Sequence, residues 1–180
     1  YVNIYGELTN NYKLKMKVLQ KEPVKRVESF LKKFDESLKV VSLDTSARTA
    51  LEAASSLKCE IGAIVKSLLF RTDENFILCL VAGDKKVSLN KIKKTLSIKD
   101  VSMASVEEVK NITGFTIGGV SPVGHLKKID TYIDDSLERF KDLYAAAGHP
   151  NCIFKINFIN LKKITNGSSK DITEWDNQNY

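Results

Sequence analysis

The sequence has few residues that bind metals or form disulfides: two histidines and three cysteines among 180 residues. The cysteines, at positions 59, 79 and 152, lie far apart, and apart from a weak His149–Cys152 pair none has zinc-ligand spacing to a histidine. An odd number of separated cysteines favours reduced thiols in a cytoplasmic protein. We therefore expect no metal and no disulfide framework.

Long apolar runs are also missing. No segment approaches the roughly 20 apolar residues that a membrane-spanning helix needs, and the first 20 residues lack the apolar core and cleavage site of a secretory signal. We therefore expect no membrane association. A chain with 43% hydrophobic and 28% charged residues is typical of one soluble domain, which we expect to be monomeric.

Positive charge is in excess, with a net charge of +6. One lysine against three acids gives residues 168–180 a charge of −2, so the rest of the chain carries +8. Such an excess indicates a polyanionic partner such as a nucleic acid, or a lysine-rich solvated surface. Charge alone does not choose between them.

Hydrophobic spacing predicts short helices mixed with strands. Helical periodicity covers about 23–34, and capping boxes begin at Thr49 and Ser105. The apolar runs "GAIVKSLLF" and "FILCLVAG" flank the polar "RTDEN" and predict a β-hairpin. Without strict βαβ alternation, we predict an α+β domain with a mixed or largely antiparallel central sheet. Residues 1–20 are expected to be an extension, flexible or an edge strand, 21–167 the folded domain, and 168–180 a flexible tail.

Two segments are candidates for chemistry. Lys66 interrupts the apolar "GAIVKSLLF"; it either reaches solvent or faces a cleft with an anionic partner or a lowered pKa, since burying an isolated ammonium is costly. The uncharged "GFTIGGVSPVGH" contains Gly118 and Gly119, which let a ligand approach the main chain. Its backbone N–H groups could hold a phosphate or an oxyanion, or the segment is only a long connection.

Other polar residues have simpler interpretations. Asp134 and Asp135 in "YIDDSL" are placed to cap the next helix. His125 and His149 lie in loops, where histidines are commonly surface residues. No Gly-x-Ser-x-Gly elbow is present, and no spacing indicates a nucleophilic triad.

Taken together, four segments resemble the YbaK family of aminoacyl-tRNA deacylases, which includes freestanding relatives of the editing domain of bacterial prolyl-tRNA synthetases. They are "ARTALEAASSLKCEIGAIVKSLLF", "TGFTIGGVSPVGH", "IDDSL" and "YAAAGHPNCIF", in that order, and the resemblance covers roughly residues 24–167. It implies a compact α+β fold with a central mixed, partly barrel-like sheet surrounded by short helices. It also implies hydrolysis of the ester in mischarged aminoacyl-tRNA, with alanyl- or cysteinyl-tRNA for proline as substrates and no cofactor or metal.

The resemblance also implies site residues. Lys66 matches the family's central lysine, and Gly118 and Gly119 belong to its GxxxP loop; these are the expected catalytic residues. The expected substrate-binding residues are Thr45, Ser121, Pro122, Asp134, Gly148 and His149, with Asp135 an alternative to Asp134. The implied partners are the acceptor end of a mischarged tRNA and prolyl-tRNA synthetase.

An activated ester needs no strong nucleophile, so this chemistry suits the residue types. The site must hold the ester, stabilise the tetrahedral oxyanion and place a water or the ribose 2′-hydroxyl. We hypothesise that the substrate's own 2′-hydroxyl takes part. The main alternative is a non-catalytic RNA- or protein-binding module with the same fold; a small-molecule hydrolase is a weaker one.

Overall fold

The computed structural model describes residues 4–45 and 47–177, which form six α-helices, two 3-10 helices and ten strands. The α-helices are α1 (Ile4–Leu19), α2 (Glu22–Phe34), α3 (Ala50–Leu57), α4 (Leu89–Leu96), α5 (Val106–Thr113) and α6 (Phe158–Thr165). The strands are β1 (Val40–Ser42), β2 (Ile64–Thr72), β3 (Phe76–Ala82), β4 (Lys85–Val87), β5 (Val101–Met103), β6 (Asp130–Asp134), β7 (Leu143–Ala146), β8 (Cys152–Ile156), β9 (Ser168–Lys170) and β10 (Thr173–Trp175). The 3-10 helices span Ile61–Ala63 and Asp135–Arg139.

Local signals fixed several helix ends as predicted. In α3 the Thr49 hydroxyl accepts the Glu52 N–H, and the Glu52 carboxylate accepts the Thr49 N–H, which completes the capping box. Ser105 and Glu108 do the same for α5, which ends at Gly114 with φ +79°. These three features confirm the sequence-based prediction.

The strands form a mixed sheet in the order β1-β8-β7-β2-β3-β6-β9, and β4 and β10 form a separate pair. The predicted β2–β3 hairpin is antiparallel over Val65–Arg71 and Phe76–Ala82. By contrast, β2 and β7, β3 and β6, and β6 and β9 pair in parallel. The predicted α+β class with a mixed central sheet is confirmed.

One edge of β2 is shared by two short strands. β7 pairs with its beginning, Ile64–Val65, and β5 pairs with its end, Phe70–Thr72. The opposite edge of β2 is fully paired with β3. The sheet therefore forks along the middle of β2. On this edge, residues 66–69 between the two short strands have no strand partner among the residues that the structure describes.

Helices pack on both faces of this sheet. The largest apolar cluster joins β2, β3, β7 and β8 to the buried stripe of α2, formed by Val24, Val27 and Leu31. On the other face, Ile92 of α4 packs with Phe70 of β2. This packing leaves the forked edge of β2 between α3 and the segment that follows α5.

The expectation of a flexible segment or an edge strand near the N-terminus is wrong for residues 4–19, and residues 1–3 lie outside the described ranges. Residues 4–19 form helix α1, not a flexible extension or an edge strand. Its apolar residues include exposed Leu8, Tyr12 and Met16, so the helix lacks the clear buried stripe that the sequence pattern would have signalled.

The expected flexible tail is also wrong for the described residues 168–177. β9 pairs with β6 and β10 pairs with β4, while Ile172 between them is 1% exposed. Three-residue strands carry almost no alternation, so a sequence pattern cannot show them. The rest of the predicted tail, 178–180, lies outside the described residues.

None of the helices in the described part of the chain has the length and hydrophobicity needed to span a membrane.

Candidate active site

A cavity of about 430 Å³ lies in the fork of the sheet. Six consecutive residues of β2, 64–69, line it, so the cavity runs along the edge of the strand. The other walls come from α3, the end of β5, residues of β7 and β8, and Ile117, Gly118 and Val120. The polar lining residues are Arg48, Thr49, Lys66, Ser67, Tyr144 and Asp176, and most of the others are apolar.

Lys66 projects from the middle of β2 and is half-buried. Its ammonium donates a hydrogen bond to the backbone oxygen of Lys85 on β4. Burial lowers the pKa of Lys66, and the nearby carboxylates of Asp176 and Asp84 oppose that shift. The sequence left open whether Lys66 reaches solvent or faces a cleft. In the structure Lys66 lines the cavity, so it faces a cleft.

Ser67 follows Lys66 and was not anticipated. Ser67 contributes to the lining of the cavity, and its Oγ is buried with no hydrogen-bond partner among the described residues. An unpaired buried hydroxyl costs stability unless a ligand or water satisfies it. Ser67 therefore places an unpaired polar atom within the wall of the cavity, in the residue after the lysine. A serine inside an apolar strand gave no sequence signal for this.

The segment "GFTIGGVSPVGH", residues 114–125 and here called the glycine segment, lines the cavity at Gly118. This residue has φ +90°, a left-handed conformation that favours glycine. The N–H of Gly119 instead donates to the oxygen of Thr116, 3.0 Å away, inside a turn. Of the two glycines expected to form a backbone cradle, Gly118 lines the cavity, together with Val120. Gly119 instead shapes the turn.

Gly119 shapes the turn because it packs against another backbone. A Cβ at this position would lie 2.9 Å from both Cα and N of His149. Gly148 is equally confined, since a Cβ there would lie 2.7 Å from the oxygen of Pro23. The Gly148–His149 turn is thus held between the glycine segment and the start of α2.

Arg26 of α2 fastens the glycine segment at both ends. Its Nε donates to the oxygen of Gly124 at 2.7 Å, and one terminal nitrogen donates to the oxygen of Gly114 at 3.2 Å. The guanidinium also lies 4.8 Å from the ring centre of Phe115 and pairs with Glu22. The sequence gave no sign of this contact, because Arg26 lies 88 residues from Gly114.

Replacing Arg26 by Met should lower the free energy of unfolding by about 1.5–3 kcal/mol, the usual value of hydrogen bonds from a charged donor. It should also make residues 114–124 more sensitive to limited proteolysis. Urea unfolding and protease mapping measure the two effects. Lys25→Met, at an exposed neighbouring position, is the control. An Arg26→Met protein as stable and as resistant as that control would contradict the contact's role.

The sequence profile of the aminoacyl-tRNA editing domain matches residues 44–164 of this chain, about two thirds of its length. The chain belongs to this editing-domain family. The matched range contains Lys66, Ser67 and Gly118, which line the cavity.

Relatives agree with this assignment. Protein YwhH of Bacillus subtilis is 33% identical over 74% of this chain and 85% of its own length. The proline–tRNA ligase of Caldicellulosiruptor bescii is 30% identical over 73% of this chain, which spans only 23% of that enzyme. A solved structure described as a candidate trans-editing enzyme for prolyl-tRNA synthetase has a TM-score of 0.81 and 36% identity, covering 86% of this chain and 98% of the other.

The other predicted site residues of this editing domain are not part of the cavity lining. His149 accepts the N–H of Asn151 on Nδ1, and its Nε2 lies 3.4 Å from Nζ of Lys21. Burial, with Lys21 a second cause, lowers the pKa of His149. Its neighbour Pro150 reaches the cavity. Gly148 and His149 therefore border the site through the backbone.

Ser121 and Pro122 are buried inside the glycine segment of the editing domain. The Ser121 hydroxyl accepts the N–H of Val123, and its backbone oxygen lies 2.7 Å from Nε2 of His125. Burial lowers the pKa of His125, and the hydrogen bond to the Ser121 oxygen opposes that shift. These residues keep the shape of the segment.

Asp134 is 1% exposed and does not line the cavity of the editing domain. Its carboxylate accepts bonds from the backbone and hydroxyl of Ser136, from the N–H of Ile172 and from the hydroxyl of Thr173. This matches the helix-cap interpretation and adds an anchor for the C-terminal strands. Asp135 accepts the hydroxyl of Ser169.

Thr45 is exposed in the editing domain, and its Oγ1 lies 2.8 Å from the hydroxyl of Ser56, outside the cavity lining.

The cysteines are free, and burial raises the pKa of Cys79 to about 12 and of Cys152 to about 11, so neither is a thiolate at neutral pH. Within the described ranges, no group of three or more His, Cys, Asp or Glu residues is placed to hold a metal.

Proposed function

We propose that this chain is a deacylase that hydrolyses the ester bond of mischarged aminoacyl-tRNA. The observation that carries the proposal is the cavity in the forked sheet. Lys66, Ser67 and Gly118 all line it. The chain's membership of the editing-domain family supports the same conclusion.

In this reaction a water adds to the ester carbonyl carbon, and the bond from that carbon to the ribose oxygen breaks. The proton passes to the ribose oxygen, which releases the amino acid and a tRNA with a free 3′ hydroxyl. Positioning and oxyanion stabilisation suffice because the ester is already activated. We assign Lys66 to the phosphate or ester end of the substrate, and the Gly118 segment to the developing oxyanion. The substrate's 2′-hydroxyl would help to place the water.

The lining suits an apolar aminoacyl group, since Ala53, Val65, Ala145 and Ile153 contribute apolar surface to it. A synthetase rejects a smaller amino acid only weakly, since one methylene is worth about 1–3 kcal/mol. A second site is then needed to remove the error. We propose alanyl- or cysteinyl-tRNA for proline as the substrates, and prolyl-tRNA synthetase as the enzyme whose errors are corrected.

Positive charge would hold the RNA. Arg48 lines the cavity and is exposed, and the chain has a net charge of +6. Contacts between cations and phosphates release counterions, so binding weakens as salt increases. Deacylation at subsaturating tRNA should therefore fall steeply between 50 and 200 mM salt, by about tenfold or more.

A panel of mischarged tRNAs tests the proposal. Turnover of alanyl- or cysteinyl-tRNA for proline, with weak activity on aminoacyl esters that lack tRNA, is the expected result. Binding of tRNA without turnover of any substrate would favour a non-catalytic RNA-binding module. Equal activity on esters without tRNA would favour a small-molecule hydrolase. A substrate with a 2′-deoxy terminal adenosine, cleaved at full rate, would rule out the role of the 2′-hydroxyl.

A further inference from the structure

Among the described residues that line the cavity, Asp176 is the one with a carboxylate side chain. It follows β10, outside residues 44–164 that match the editing-domain profile. None of the sequence patterns pointed to it, because it lies in the segment expected to be a flexible tail.

A set of contacts holds Asp176 in place. β10 pairs with β4, with Trp175 opposite Lys85. Two cations contact the Trp175 ring: Nζ of Lys85 lies 3.5 Å and the guanidinium of Arg139 lies 5.2 Å from its centre. Arg139 in turn pairs with Asp84 through two hydrogen bonds of 2.7 and 3.0 Å. The Asp176 N–H donates to the backbone oxygen of Asp84 at 3.2 Å.

The same strand pair supports Lys66. The Lys66 ammonium donates its hydrogen bond to the backbone oxygen of Lys85 on β4, and β4 pairs with β10. The carboxylate of Asp176 favours the charged form of Lys66. A positive and a negative side chain therefore share one end of a mostly apolar cavity.

We propose that Asp176 binds the α-ammonium group of the aminoacyl ester; this rests on the proposed deacylase function. An unblocked aminoacyl ester carries a cation one carbon from the reacting carbonyl. Moving that cation into an apolar cavity is costly without an anionic partner. A carboxylate has about four acceptor positions, enough to bind an ammonium while it also faces Lys66. Gly118 would then contact the carbonyl on the opposite side.

This subsite defines the class of substrate. Aminoacyl esters with a free amino group should be cleaved, whereas N-acylated esters, which lack the cation, should be poor substrates. The editing domain would thereby leave peptidyl-tRNA intact, although peptidyl-tRNA carries the same type of ester.

The test compares alanyl-tRNA with N-acetylalanyl-tRNA as substrates of the full chain and of Asp176→Asn. Asparagine keeps the size of the side chain and the backbone hydrogen bond to Asp84. The unmodified chain should prefer alanyl-tRNA by at least about tenfold in kcat/KM, and Asp176→Asn should lower kcat/KM for alanyl-tRNA by at least about tenfold, as expected for a charge-assisted hydrogen bond. The value for N-acetylalanyl-tRNA should change by less than about twofold. Asp171→Asn, an exposed carboxylate of the same segment that pairs with Lys91, is the control and should retain the preference.

Two results would overturn the subsite while leaving the deacylase function in place. One is an unmodified chain that cleaves both esters at the same rate, which needs no variant and so no assumption about folding. The other is an Asp176→Asn protein that loses activity on both esters equally, which would mean that Asp176 acts through Lys66 or the fold. Absence of activity on every aminoacyl-tRNA tested would overturn the proposed function itself.

Discussion

Replacing Lys66 by Met is expected to lower kcat/KM for a mischarged aminoacyl-tRNA by about 10²–10³-fold, the usual effect of removing a group that stabilises the transition state. Methionine keeps the length and apolar stem of the side chain but removes the ammonium. The free energy of unfolding should change little, because the lost hydrogen bond to Lys85 is offset by the removal of a half-buried charge.

Single-turnover deacylation and urea unfolding separate rate from stability for this variant. Lys155→Met is the matched control, since Lys155 is an exposed lysine on strand β8 of the same sheet. The control should retain full activity. A folded Lys66→Met protein that keeps full activity would show that the ammonium takes no part in the reaction.

Gly119→Ala should reduce deacylation by about 10²-fold, because displacing a catalytic group by about 1 Å can cost that much. The added methyl group would meet the backbone of His149 at 2.9 Å, and a backbone cannot move aside as a flexible side chain can. The turn must shift, and Gly118 must shift with it. The free energy of unfolding should fall by about 1–3 kcal/mol, as for other overpacked sites.

Thr116→Ala is the control for this change, since Thr116 is exposed in the same turn and contributes its backbone oxygen to Gly119. It should leave rate and stability unchanged. Rates are measured at saturating tRNA, so that weaker binding does not mimic slower chemistry. A Gly119→Ala protein with an unchanged rate would show that the position of this turn does not matter to the reaction.

Much of the local structure could be predicted because its causes are close in the sequence. The capping boxes at Thr49 and Ser105 and the β2–β3 hairpin each depend on residues within a few positions. The strands β4, β5, β9 and β10 have three residues each and are held by partners from distant parts of the chain. No local pattern could show them.

The site was predictable in part for the same reason. Lys66 was marked by a charge within an apolar run, and the resemblance to a family placed it with the glycine segment; both line one cavity. Ser67 and Asp176 were missed, because an unpaired hydroxyl and a cavity-lining carboxylate become evident only from the tertiary contacts. Asp134 shows the converse: the helix-cap interpretation, based on the residues alone, described its contacts, whereas the cavity lining does not include it.

Because of the fork along β2, the position of Lys66 and the width of the cavity depend on different strands. Lys66 is fixed by the continuous ladder between β2 and β3, whereas the far wall of the cavity depends on where the short strand β5 ends, at exposed Met103. Insertions, deletions or side-chain changes between α4 and α5 can therefore widen or narrow the cavity while the lysine keeps its place. Under the proposed deacylase function, altering a peripheral strand of three residues would change which amino acid fits the cavity.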